Sequence, residues 1–207
     1  MQKQNIVCFG DSITHGAGYA EANRWTARLA FLLEEKFPEK FDVYNRGWGG
    51  NTTALALDRI QQEVVPLLPA LVLIEFGIND AYVYPWCRHP RVSLNDFEKN
   101  LKEIVRLIKS NKGEPCLIIN HPVTGQKNLH RQGNKVSVGD NVRPYNQMIG
   151  KAARGLKVAC IDLPTILKKR NLNPADLCSE DGVHLSPRGN RIYADCLSEC
   201  ILKQIRP

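Results

Sequence analysis

Five short apolar runs punctuate the chain: Ile6-Val7-Cys8-Phe9, Phe41-Asp42-Val43-Tyr44, Leu71-Val72-Leu73-Ile74-Glu75-Phe76, Cys116-Leu117-Ile118-Ile119 and Val158-Ala159-Cys160-Ile161. Several are apolar throughout instead of alternating, the pattern of strands covered on both faces. Helical spacing lies between them. Trp25, Leu29, Leu32, Leu33 and Phe37 recur at three and four residues, and so do Phe97, Leu101, Ile104, Val105 and Ile108, behind Ser93 and Asn95 as candidate caps. A further helix is expected from about Thr53 to Val65, stopping before Pro66, and a last one from about Pro187 to Lys203, with proline in its first turn. Strands alternating with helices predict a flavodoxin-like, five-stranded parallel sheet inside a three-layer α/β/α sandwich. The segment from His121 to Asn141 is polar, contains glycine and shows little periodicity, so it is expected to be a long functional loop.

Length and composition narrow this picture. The 207 residues, with no repeat, linker or low-complexity tract, are read as a single domain, residues 1–207, and 43% hydrophobic residues supply its core. No apolar run approaches the ~20 residues needed to span a bilayer, so no membrane insertion is expected. The first strand begins too soon after Met1 for a signal peptide, and the seven cysteines contain no C-x-x-C. Cys8, Cys116 and Cys160 are expected to be buried in strands, and Cys196 and Cys200 to share a helix without forming a zinc site. Reduced thiols point to a cytoplasmic location. The net charge of +7 is scattered, with Lys168-Lys169-Arg170 its densest run, which fits a solvated surface better than a nucleic-acid partner. No feature assigns an oligomeric state.

Open parallel sheets carry their sites beyond the carboxyl ends of the strands, and polar clusters fall there four times. They are Gly10-Asp11-Ser12-Ile13-Thr14, Asn45-Arg46-Gly47-Trp48-Gly49-Gly50-Asn51-Thr52, Gly77-Ile78-Asn79-Asp80 and, before the last helix, Asp181-Gly182-Val183-His184. Each alone is weak, since a serine after a strand is commonly a helix cap and Asn-Asp commonly a turn. Together they supply the parts of acyl transfer: Ser12 as nucleophile, His184 as general base and acid, and Asp181 to fix the imidazole tautomer. Gly50 brings a backbone N–H to the substrate without a Cβ in the way, and Asn79 offers an amide donor to an oxyanion. Asp11 is expected to bind nearby backbone and Asp80 to cap the following turn. Trp48, Tyr82, Tyr84 and Trp86 flank the site and are weighed equally as substrate platform and as packing. His121 is weighed in the same way, as a substrate contact or as a loop anchor. No group of ligands has metal spacing, so no metal is expected.

These four ordered blocks resemble the SGNH hydrolases, also called GDSL lipases and esterases. The match is Gly10-Asp11-Ser12, with isoleucine at 13 where the namesake motif has leucine, then Asn45-x-Gly47-x-x-Gly50-x-Thr52, Gly77-x-Asn79-Asp80 and Asp181-x-x-His184. It spans residues 6 to 184. The resemblance implies a flavodoxin-like sheet, no cofactor, and hydrolysis of esters or thioesters with an oxyanion hole from Ser12 N–H, Gly50 N–H and the Asn79 side chain. There is no G-x-S-x-G, which sets aside the α/β-hydrolase elbow. The implied substrates are small carboxylic esters: carbohydrate O-acetyl groups, short-chain alkyl or aryl esters, or lysophospholipids. An acyltransferase using the same acyl-enzyme and a non-catalytic ligand-binding module on a flavodoxin-like scaffold are the alternatives.

Overall fold

A computed structural model of the protein describes residues 3–16, 18–124, 129–131 and 134–205. Its central sheet has five parallel strands in the order β2-β1-β3-β4-β7. They are β1 (Gln4–Gly10), β2 (Phe41–Gly47), β3 (Ala70–Glu75), β4 (Glu114–Ile119) and β7 (Ala159–Asp162). Ile6, Val7, Cys8 and Phe9 of β1 have no exposed surface, and every residue of β3 is buried. This is the burial that the uninterrupted apolar runs demand.

The crossovers between parallel strands distribute the helices over two faces. On one face α2 (Trp25–Lys36) packs on α7 (Pro187–Ile205). On the other, α3 (Thr53–Glu63), α4 (Leu94–Ser110) and α5 (Val138–Leu156) pack in succession. The one-turn helix α1 (Ser12–His15) follows β1, and α6 (Leu163–Lys169) follows β7. Trp25 locks the first face: its indole N–H donates to the Ile13 carbonyl at 2.8 Å and its ring meets Tyr193 at 5.2 Å.

Four expectations are corrected. The helix from Thr53 ends at Glu63, and Val65–Leu67 forms a separate 3₁₀ turn that accommodates Pro66. Ser93, not Asn95, caps α4, accepting from the Asp96 N–H at 3.1 Å. Cys160 is exposed because β7 is an edge strand, covered less than β1 or β3. The expected loop from His121 to Asn141 contains a small antiparallel pair, β5 (Leu129–Arg131) with β6 (Asn134–Val136), and Asn141 already belongs to α5. Within that loop, 125–128 and 132–133 lie outside the described residues.

Register matters most for the site. Gly10 pairs with Gly47 of β2 and with Glu75 of β3, so three strands end on one row. The first three polar blocks all leave the sheet from that row.

Candidate active site

Ser12 opens α1 one residue after the end of β1, with Asp11 as N-cap accepting from the Ile13 N–H at 2.9 Å. Gly10 permits this tight exit, because a Cβ there would stand 2.7 Å from the Glu75 carbonyl oxygen, inside van der Waals contact. The turn is held from β2 as well: the Asn45 side-chain amide donates to the Thr14 carbonyl at 2.9 Å, and Asn45 Oδ1 accepts from the Gly47 N–H at 2.9 Å.

The fourth block is a compact loop. Asp181 Oδ1 accepts from the main-chain N–H groups of Val183 and His184 at 2.8 and 2.9 Å and from the Ser179 hydroxyl at 3.0 Å. Its other oxygen lies 2.5 Å from His184 Nδ1, and His184 Nε2 lies 3.0 Å from Ser12 Oγ. A carboxylate only accepts, so Nδ1 carries the proton and Nε2 is the acceptor for the serine hydroxyl. Partial burial raises the pKa of Asp181, but hydrogen bonds from His184, the two main-chain N–H groups and Ser179 outweigh it and hold the carboxyl well below its ordinary value. Asp181 is therefore an anion at neutral pH.

Two contacts from the end of β4 clamp this loop. The Thr124 N–H donates to the Gly182 carbonyl at 2.7 Å, and His121 Nε2 donates to the Val183 carbonyl at 2.9 Å. The His121 side chain is fully buried, and burial pushes its pKa down to about 4. Through this bond the ring holds the loop from the β4 side.

The second and third blocks face the nucleophile from the neighbouring strands. Gly50 is exposed at φ +72°, a left-handed conformation that disfavours any side chain, and a Cβ there would meet no protein atom. Its carbonyl accepts from the Arg91 guanidinium at 2.9 Å. One N–H of the Asn79 amide is held by Asp11 Oδ2 at 3.0 Å, and an amide nitrogen has two, so one is left for another acceptor. Instead of capping the following turn, Asp80 reaches to Thr53. Its buried carboxylate accepts the Thr53 N–H and hydroxyl at 2.9 and 2.5 Å, tying the third block to the start of α3. Burial raises its pKa to about 6 against these bonds.

Trp48 is 55% exposed, Trp86 is 78% exposed and stacked on Tyr84 at 5.0 Å, and Tyr82 is half-buried with its ring edge-on to Tyr84. Tyr82 packs partly against the core, while Trp48 and Trp86 stay open to solvent. A cleft of about 540 Å³ lies beyond β4 and β7, lined by Ile119, Val123, Arg143, Asn146 and Asp162 among others. No group of three His, Cys, Asp or Glu side chains is placed to share a metal among the described residues. No described helix is long and apolar enough to cross a membrane.

Arg59 escapes a sequence reading. Buried on α3, it donates to Asn51 Oδ1, the Arg46 carbonyl, Glu63 and the Gly10 carbonyl at 2.7–3.0 Å, with its guanidinium 4.5 Å from the Phe9 ring centroid. It thereby joins the first two blocks. Its one local signal is the i,i+4 pair with Glu63.

Comparison with known proteins gives the family of the chain. The sequence profile of the GDSL-like lipase/acylhydrolase family matches residues 8–192. An isoamyl acetate-hydrolyzing esterase 1 homolog of Bos taurus is 31% identical, over 97% of this chain and 82% of its own. The isoamyl acetate-hydrolyzing esterase of Saccharomyces cerevisiae is 26% identical, over 97% and 87%. A lipase/acylhydrolase from Enterococcus faecalis superposes with a TM-score of 0.79 at 23% identity, covering 99% and 98%. A catalytic mutant of an acetylxylan esterase from Geobacillus stearothermophilus superposes with a TM-score of 0.76 at 25% identity, covering 95% and 93%. Fold and sequence together define a hydrolase of the SGNH class. The chain belongs to the GDSL-like lipase/acylhydrolase family, a family of esterases.

Proposed function

We propose that residues 1–207 act as one domain that hydrolyses acetyl and other short acyl esters through an acyl-enzyme on Ser12. The observation that carries this reading is the unbroken chain from Ser12 Oγ through the His184 imidazole to the Asp181 carboxylate, at 3.0 and 2.5 Å. His184 takes the hydroxyl proton as Ser12 attacks the ester carbonyl, then delivers it to the departing alcohol. Water, activated by the same imidazole, attacks the acyl-enzyme and releases the acid. Asp181 orients the ring and stabilises its charged form. The Ser12 and Gly50 N–H groups and the remaining Asn79 N–H receive the oxyanion, each such donor being worth about 3 kcal/mol in the barrier.

The acyl group is read from the relatives: two act, by name, on isoamyl acetate and on acetylated xylan, which share an acetyl group and differ in the alcohol. The exposed Trp48 ring and the half-buried Tyr82, edge-on to Tyr84, suit contact with the alcohol part. The seven cysteines, with no C-x-x-C among them, suit a reducing, cytoplasmic setting.

The test is a series of p-nitrophenyl esters of increasing chain length with acetylated sugars alongside, combined with labelling by a fluorophosphonate. Labelling at Ser12 and a rate maximum at acetate are expected. No labelling at Ser12 removes the mechanism, and a maximum at long chains removes the acetyl assignment.

A further inference from the structure

Below the nucleophile lies a pair of acids that the proposed reaction does not use. Asp11 and Glu75 are both fully buried, Glu75 at the end of β3 and Asp11 directly after the end of the adjacent β1. Their hydrogen bonds are unequal. Asp11 accepts twice, from the Ile13 N–H at 2.9 Å and from the Asn79 amide at 3.0 Å. Glu75 Oε2 accepts from the Thr14 hydroxyl at 2.9 Å, while its buried Oε1 meets no donor in bonding geometry. Among the described residues no arginine, lysine or histidine pairs with either carboxyl. Two anions in contact in such a place would face both desolvation and mutual repulsion, so one proton stays with the pair. It belongs on Glu75, the carboxyl with an oxygen to spare for it. Burial and the charge of Asp11 both raise the Glu75 pKa well above its usual value, in agreement with that assignment.

We propose that Glu75 is a positioning residue, held as the neutral acid, whose Oε1–H donates to Asp11 and keeps that carboxylate aimed at both the Ile13 N–H and the Asn79 amide. One proton would then set two catalytic parts together: the turn that presents Ser12, and the rotation of the amide that leaves an N–H for the oxyanion. The proposal rests on the proposed roles of Ser12 and Asn79.

Glutamine copies the neutral acid, with an N–H₂ toward Asp11 and a carbonyl toward Thr14, whereas leucine fills the space and donates nothing. Glu75→Leu is expected to lower kcat about 100-fold with KM within about threefold, and Glu75→Gln to recover kcat to within about fivefold of wild type. If Glu75→Leu does not fold, Asp11→Asn serves in its place. An asparagine there cannot accept both N–H groups, and a loss of at least about tenfold in kcat is expected. Infrared spectra at neutral pH should show a carboxylic-acid C=O band that Glu75→Gln removes and Asp80→Asn leaves. A Gln variant as impaired as the Leu variant, an Asp11→Asn variant with wild-type kcat, or a band untouched by Glu75→Gln overturns the proposal. Fluorophosphonate labelling separates the two layers. A wild type unlabelled at Ser12 defeats the esterase mechanism, while a labelled wild type whose Glu75 variants match it in kcat defeats only this inference.

Discussion

His121 donates through Nε2 to the carbonyl of Val183, 2.9 Å away, from a position with no solvent exposure. Its other ring nitrogen, Nδ1, is buried without a partner, so protonation would place an uncompensated charge in the core.

That contact has a sign in pH. The folded-state pKa is about 4 against an ordinary 6.5, so the unfolded chain binds the proton first. The associated stability is complete above pH 6.5 and is lost as pH falls toward 4, by about 3 kcal/mol. Asp80, raised to about 6, acts oppositely between 3.8 and 6, so the term must be read as a difference. His121→Gln, which keeps a donor for Val183, should lose less stability than wild type between pH 7 and pH 4.5 in urea titrations. Parallel curves would show that His121 does not titrate on unfolding.

Ser12→Ala should abolish ester hydrolysis by several orders of magnitude with little change in melting temperature. Among the described residues the hydroxyl bonds only to His184, and little packing is lost at this half-buried turn. Retention of more than about a tenth of the rate would exclude Ser12 as nucleophile.

Asp181→Asn should keep more activity than His184→Ala while still losing roughly up to 10⁴-fold, because an amide tends to hold the imidazole in the wrong tautomer. Comparing kcat/KM of both variants on one short-chain ester decides it. A His184→Ala enzyme equal to wild type would remove the imidazole from the mechanism.

Arg59→Met should destabilise the fold by roughly 3 kcal/mol, since the Gly10 carbonyl and Asn51 side chain lose their buried donor. Activity should fall as well, because the first two blocks lose their common tie. Urea midpoints near wild type would mean that water replaces the guanidinium.

A chelator should leave the rate unchanged, as no cluster of three ligands exists among the described residues. Loss of activity on chelation and its return with zinc would contradict the proposed mechanism.

The strands and the four blocks were legible because each carries a local signature: a two-face apolar run, or turn residues directly after one. Helix α5 was not legible. Pro144 sits inside it, and glycine at 139, 150 and 155 weakens its periodicity, so its start is marked only by Ser137, whose hydroxyl accepts from the Asp140 N–H. Arg59 escaped because three of its four partners lie on other segments, and no spacing along α3 announces them. Glu75 did leave a trace, a single acid within an otherwise apolar strand, but its partner Asp11 is supplied by sheet register. Cys160 was misjudged because an apolar run looks alike at the centre and at the edge of a sheet, and only strand order distinguishes them.

Ser12 and His184 are 172 positions apart along the chain, yet share a hydrogen bond, and Trp25 likewise meets Asn190 across 165. Contacts of such separation demand large loop closures and form late relative to local helices and adjacent strand pairs. A chain in which β1 and β3 have paired but the Asp181–His184 loop has not docked holds a serine with no base, and is inert toward esters. Chemical competence therefore arrives with the last long-range closure. During refolding, the return of esterase rate should trail the return of helical signal, which makes turnover itself a clock for the completion of the fold.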